Sequence, residues 1–547
     1  MKIGIFIAYH PNSELSNQGL GRLLRELTKG LLKNDGTEVA LLCPSWLRKD
    51  VEELFSDVRT PHLTILAPQH VPALVTLRNK LSKKSKKKEE RIGLKTKIFR
   101  FVKRTAAQAI HSVEVALATA LSVRNPFLFL LTLLALAVVG VLLAPLYIVS
   151  IAIASLTLIP FLFARVPALK RARSNFSRLY VMARSRMPLR HRPPLRFTVY
   201  DRIFKNETKH MISIANSRKD INIWFSPTVF WPEFSSINAP TVQAFPDMLI
   251  SEFPTAFALE LAGSVAVFKR ASKAIKAGKH FTSYSEAVGH GALSKRFDVD
   301  QNSIHVIPHA PIDLSKFVTV IGTLDNEMAK NKFTTNLIHG HRNAKWSDDP
   351  YLSTFDFSDT QFIFYASQFR PNKNIMNLVK AFEIVLRKRH KYIKLIMTGS
   401  WEHAPEVLEY IKKKRLARDI ITAYNASDEV LAALYAKARL SVNPTLYEGG
   451  FPFTFAEGMS VGTPSLMSRI PQVTDVIKGD LADTMLFNPY SIDDIASKIE
   501  FGLDHRQELI ELQRPLYDDM RMRTWLDVAE DHIEAFQRVI AMERCVG

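Results

Sequence analysis

Two glutamates, Glu448 and Glu457, bracket the stretch Gly449-Gly450-Phe451-Pro452-Phe453-Thr454-Phe455-Ala456. Glycines ahead of a helix leave peptide N–H groups uncovered, so an oxygen-rich ligand can come close to the backbone. The N-terminus of that helix carries about half a positive charge and is an anion site. Carboxylates repel phosphate, so the partners of Glu448 and Glu457 are the hydroxyls of a sugar or a ribose. An anion and a polyol held side by side is the chemistry of a nucleotide sugar. Arg370 and Lys373, in the run Ser367-Gln368-Phe369-Arg370-Pro371-Asn372-Lys373-Asn374, fit the same ligand. They can neutralise a diphosphate leaving group, one through a bidentate fork and the other as a point charge.

Such residues need a frame of parallel strands. The apolar run Ala438 to Val442 reads as a buried strand and Ser465 to Ser468 as the next. Between them Pro452 suits the first turn of a helix, and Gly462-Thr463-Pro464 stops it. Ser427 to Ala438 reads as a capped helix leading into that unit. Phe362 to Ala366 is a strand ahead of Arg370, followed by a helix from Ile375 to Arg389 and a strand from Ile393 to Met397. At the N-terminus a strand, Ile3 to Ala8, precedes a loop from His10 to Arg22 that contains Gly19-Leu20-Gly21. An amphipathic helix bearing Leu23, Leu24, Leu27 and Leu31 follows, then a strand from Glu38 to Leu42. That order predicts a doubly wound domain, with further strands at Asp220 to Phe225 and Pro240 to Phe245.

The stretch from Glu448 to Pro464 resembles the donor-site signature of retaining glycosyltransferases of family 4, which have the GT-B fold. There, two glutamates with seven residues between them are followed by a Gly-Thr-Pro turn; here eight residues intervene. The resemblance implies an α/β architecture of two doubly wound, Rossmann-like domains facing a cleft. It implies that Glu448 orients the donor sugar, that Glu457 holds the ribose, and that Gly449, Gly450 and Phe451 lie against the donor. Arg370 and Lys373 would stabilise the departing diphosphate, and Gly19 and Gly21 would form a glycine loop closing on it from the acceptor-side domain. Phe245-Pro246-Asp247 falls where many relatives carry His-Asp; Pro246 can donate no hydrogen bond there, and Asp247 is a site residue or a helix cap. His309 reads as structural. The implied reaction moves a hexose from a nucleoside diphosphate sugar with retention, the leaving phosphate accepting the proton. No Asp-x-Asp pair stands at a suitable strand end, so no metal or other cofactor is expected.

The domain boundaries on this reading are 1–77 with 197–312 for the acceptor-side domain and 360–522 for the nucleotide-sugar domain. Residues 313–359 form a linker or surface excursion, and 523–547 a helix crossing back to the first domain. The segment 78–196 is an insert. It holds 24 Lys or Arg against three acids, so its net charge of +21 exceeds the +20 of the whole chain of 547 residues. Within it, 127–164 carries no charged side chain over 38 residues. A single span needs about 20 residues, so a membrane hairpin turning near Ala144-Pro145 is expected, with both basic flanks cytoplasmic. The flanks would attract anionic lipid. A nucleic-acid partner is not expected, because the basic residues lack the interleaved aromatics of single-strand binders. Cys43 and Cys545 are too few for a disulfide framework and fit a reducing compartment. The function expected is sugar transfer to a lipid-linked or glycan acceptor at the cytoplasmic membrane face, the alternative being an inactive membrane-anchored scaffold of the same fold.

Overall fold

The computed structural model describes residues 1–11, 19–58, 60–76, 195–247, 249–254, 262–322, 324–345 and 351–546, and in addition 127, 131, 134 and 135. Two all-parallel sheets organise the chain. The first contains β1 (Lys2–Phe6), β2 (Glu38–Leu42), β3 (Leu63–Leu66), β4 (Ile223–Ser226), β5 (Thr241–Ala244), β6 (His280–Ser283) and β7 (Ile304–Val306), in the order β3-β2-β1-β4-β5-β6-β7. The second contains β8 (Phe362–Tyr365), β9 (Lys394–Met397), β10 (Ile420–Thr422), β11 (Leu440–Asn443), β12 (Ser465–Ser468) and β13 (Leu486–Phe487), in the order β10-β9-β8-β11-β12-β13. These are the two doubly wound lobes of a GT-B arrangement.

Parallel strands are covered on both faces, which is why they read as near-continuous apolar runs. Ile3, Ile5 and Phe6 of β1 are fully buried, as are all four residues of β8. Helices Gly19–Lys33 and Leu195–Ser217 contribute Leu24, Leu27, Phe204 and Met211 to the first core. The last helix, Trp525–Val546, adds Val528, Ala529 and Phe536, so the chain finishes on the lobe where it began. The approach is close: a Cβ on Gly30 would lie 2.1 Å from the Trp525 carbonyl oxygen.

In each sheet the winding reverses once, between β1 and β4 and between β8 and β11. Ligands of open α/β sheets bind beyond the strand ends at such reversals. The expected insert lies between β3, at the sheet edge, and the helix Leu195–Ser217 that leads into β4. Val75 on its N-terminal side and Val199 and Ile203 on its C-terminal side form one small buried cluster, against which Trp46 packs. The hairpin expected at 127–164 lies, apart from four helical and exposed residues, outside the described residues. Among the described residues no helix is long and apolar enough to cross a membrane.

Two expectations about elements are corrected. The loop His10 to Arg22 ends sooner, because the helix already starts at Gly19 and takes Gly21 and Arg22 into its first turn. The segment 313–359, expected as a linker or surface excursion, holds the 20-residue helix Asn326–Lys345, which packs on helix Asp428–Lys437. Its buried face includes Thr334 and Thr335, whose hydroxyls donate to the Lys330 and Asn331 carbonyls at 2.9 and 2.8 Å. Threonines satisfied inside their own helix count as polar in a hydropathy pattern yet pack as apolar residues.

Candidate active site

A cleft of about 820 Å³ separates the lobes at the carboxyl ends of both sheets. Its second-lobe wall is built from the loops after β8 and β11, the two strands flanking the reversal. Asn372, 2% exposed, ties these loops together. Its side-chain amide donates to the Tyr447 carbonyl at 3.0 Å, and its own carbonyl accepts from the Leu446 N–H at 2.7 Å and the Thr445 hydroxyl at 3.2 Å. Arg370, Lys373 and Glu448 are therefore displayed from one cross-braced platform. Lys373 Nζ lies 2.5 Å from Glu448 Oε1. This ion pair joins the loop after β8 to the loop after β11 at the cleft wall.

Gly449, Gly450, Phe451 and Pro452 continue along the cleft wall, and Pro452 is the N-cap of helix Phe453–Ser460. The glycines also face protein. A Cβ on Gly449 would lie 2.1 Å from the Pro246 carbonyl oxygen, and one on Gly450 would lie 3.0 Å from Tyr284 Cβ. Pro246 and Tyr284 belong to the first lobe, so these glycines are required where the lobes meet. The helix stops at Ser460, and Gly462 takes φ +93°, a left-handed conformation that favours glycine.

Glu457, on the second turn of that helix, is 4% exposed and held at both oxygens. Arg22 Nη1 donates to Oε1 at 2.7 Å and the Tyr435 hydroxyl donates to Oε2 at 3.1 Å. The second Arg22 nitrogen pairs with Asp428. Burial pushes the Glu457 carboxyl above its usual range, with Arg22 and Tyr435 pulling the other way. The first lobe reaches the cleft through Arg22 and Leu23; Gly21 is not among the described lining residues, and the surroundings of Gly19 lie outside what is described. Gly19 and Gly21 stand in the first turn of the helix Gly19–Lys33, and Arg22 beside them lines the cleft.

The rest of the first-lobe wall carries Tyr9, Thr228, Asp247, Tyr284 and His309. Asp247 accepts a hydrogen bond from the Leu249 backbone at the start of helix Leu249–Glu252, so cap and cleft residue coincide. Burial raises its carboxyl, and Arg370 opposes this. His309 stacks on Phe453 of the other lobe at 3.9 Å between centroids, and burial lowers its imidazole to about 4, leaving it neutral. The Thr228 and Tyr284 hydroxyls are buried without a protein partner. Tyr9 is set by Trp46, whose Nε1 donates to its carbonyl at 3.0 Å. Among the described residues no group of three or more His, Cys, Asp or Glu is placed to hold a metal ion.

Residues 354–516 match the family model for glycosyl transferases group 1. That match falls on the second lobe, from just before β8 to within the helix Arg506–Met520. The chain is 34% identical over 129 residues to the MMP alpha-(1->4)-mannosyltransferase of Mycolicibacterium hassiacum, covering 22% of this chain and 30% of that protein. It is 28% identical over 186 residues to the serotype-specific mannosyltransferase WbdA of Escherichia coli, covering 33% of this chain and 22% of that protein. The chain thus spans under a third of each of these relatives. In fold it is similar to Anabaena Alr3699/HepE, solved in complex with UDP, with a TM-score of 0.52, 10% identity, and 98% and 100% of the two chains covered.

Proposed function

We propose that the protein is a retaining glycosyltransferase that moves a hexose from a nucleoside diphosphate sugar to a lipid-linked or glycan acceptor in polysaccharide or glycolipid synthesis. The carrying observation is the convergence of Arg370, Lys373, Glu448 and Glu457 on one cleft at a strand-order reversal. The names of the relatives indicate mannose as the sugar to try first.

In this mechanism Arg370 and Lys373 stabilise the charge that grows on the diphosphate as the glycosidic bond breaks. Glu448, positioned by Lys373, holds hydroxyls of the sugar ring, and Glu457 those of the ribose. Gly449, Gly450 and Phe451 border the sugar. The acceptor hydroxyl enters from the first-lobe wall and gives its proton to the leaving phosphate on the same face, so no side-chain base, metal or cofactor takes part. Supporting an acceptor at the first lobe, the residues flanking the insert, Val75, Val199 and Ile203, pack with Trp46, which is bonded to the cleft residue Tyr9. The insert's charge and its 38-residue uncharged run support attachment to the cytoplasmic face of an anionic membrane.

The test is sugar transfer by the full chain in liposomes containing anionic lipid, with a polyprenyl-linked sugar as acceptor. Glu448→Gln should bind donor while losing turnover. Wild-type protein that turns over no nucleotide sugar with any such acceptor would favour the scaffold reading instead.

A further inference from the structure

Both carboxylate oxygens of Glu457 are engaged, one by Arg22 and the other by Tyr435. Tyr435 cannot release it easily, because that ring is fully buried and packed edge-on against Phe364 at 4.8 Å and 89°. Arg22 can: its side chain is 28% exposed, it comes from the opposite lobe, and it lines the cleft together with Arg370 and Lys373. A guanidinium that leaves Glu457 needs another anion, and a carboxylate that loses a guanidinium in a buried place needs other donors. A nucleoside diphosphate carries both, ribose hydroxyls and a diphosphate.

Resting on the function proposed above, we infer that Arg22 is a third donor-site cation, parked on Glu457 and Asp428 in the free protein and handed to the diphosphate when ribose hydroxyls replace it on Glu457. Binding is then an exchange of partners that leaves neither buried charge bare. It requires both halves of the ligand. A nucleoside alone displaces Arg22 and leaves it only Asp428, and pyrophosphate alone draws Arg22 off and leaves Glu457 only the Tyr435 hydroxyl. The exchange also makes recognition of the whole ligand the event that rearranges the contact between lobes, since Arg22 is first-lobe and Glu457 second-lobe.

Calorimetric titration of the full chain with UDP, GDP, uridine and guanosine tests this, because the inference gives the two ligand classes different signs. Arg22→Ala should weaken diphosphate binding about 10-fold or more, while nucleoside binding stays the same or tightens, its competitor being gone. Arg22→Lys keeps the charge without the fork and should fall between. If Arg22→Ala unfolds, Glu457→Gln supplies the reciprocal result: nucleoside binding falls more than diphosphate binding. Equal weakening of both classes, or no change in either, overturns the inference. Diphosphate binding that is lost in Arg370→Ala but indifferent to Arg22→Ala removes this inference and leaves the cleft's function standing. A wild-type chain that binds no diphosphate overturns both.

Discussion

Glu448 and Glu457 sit nine positions apart on one strand-to-helix connection, and each is neutralised by a cation, but from opposite sides of the cleft. Lys373 reaches Glu448 from the same lobe, across a loop pair already braced by Asn372. Arg22 reaches Glu457 from the other lobe, 435 positions away. The first pair is complete before the lobes meet; the second exists only because they do. A single stretch of sequence therefore combines a contact within one lobe with a contact between the two.

Breaking the local pair should have the largest consequence. Lys373→Ala is expected to lower turnover about 10³-fold, the loss seen when one preorganised donor to a developing anion is removed; initial rates at saturating donor measure it. A smaller effect is expected for Gly449→Ala, which would drive a Cβ into the Pro246 carbonyl and push the lobes apart. A misplacement of about 1 Å costs roughly 10²-fold, so kcat should fall by that order while circular dichroism stays unchanged. Glu457→Gln comes next: donor KM should rise about 10-fold with kcat within about threefold, matching one charge-assisted hydrogen bond. A kcat loss as large as that of Lys373→Ala would erase the distinction between the two glutamates.

The smallest effect concerns acid stability, and its sign separates the two kinds of buried group. His532, on the last helix and 2% exposed, is lowered by burial to about 4, while the unfolded imidazole titrates near 6.5. Between those values the unfolded chain binds more protons, so stability is present above pH 6.5 and is lost as pH falls towards 4. At about 1.4 kcal/mol per unit this is on the order of 3 kcal/mol. Glu457, raised by burial, contributes in the opposite direction. Melting temperatures should therefore drop on acidification in wild type and in Arg22→Ala alike, and His532→Leu should flatten the slope.

What could be read from the chain follows the same division. Strands buried on both faces announce themselves as apolar runs, so β8 and β12 were legible almost to the residue, as was the Ser427 cap, whose hydroxyl accepts from the Val430 N–H. The short β10, Ile420–Thr422, gave too brief a run to register. Arg370, Lys373, Glu448 and Glu457 were legible as candidates because loops after parallel strands carry their chemistry locally. The partners from the first lobe were not. Nothing near Arg22 specifies a carboxylate 435 positions on, and nothing beside Gly449 specifies the carbonyl of Pro246. His309, read as structural, does pack on Phe453, yet it also lines the cleft. Contacts made between two lobes leave no periodicity in either segment.

On the function proposed above, this cleft grips a diphosphate through Arg370 and Lys373. Titrating the purified full chain with UDP and GDP, in wild type and in the Arg370→Ala/Lys373→Ala double variant, tests it most directly. Saturable one-site binding of at least one diphosphate, weakened 100-fold or more in the double variant, is the result predicted from two charge-assisted contacts. Binding that survives the double substitution unchanged, or no binding by the wild type, would contradict it.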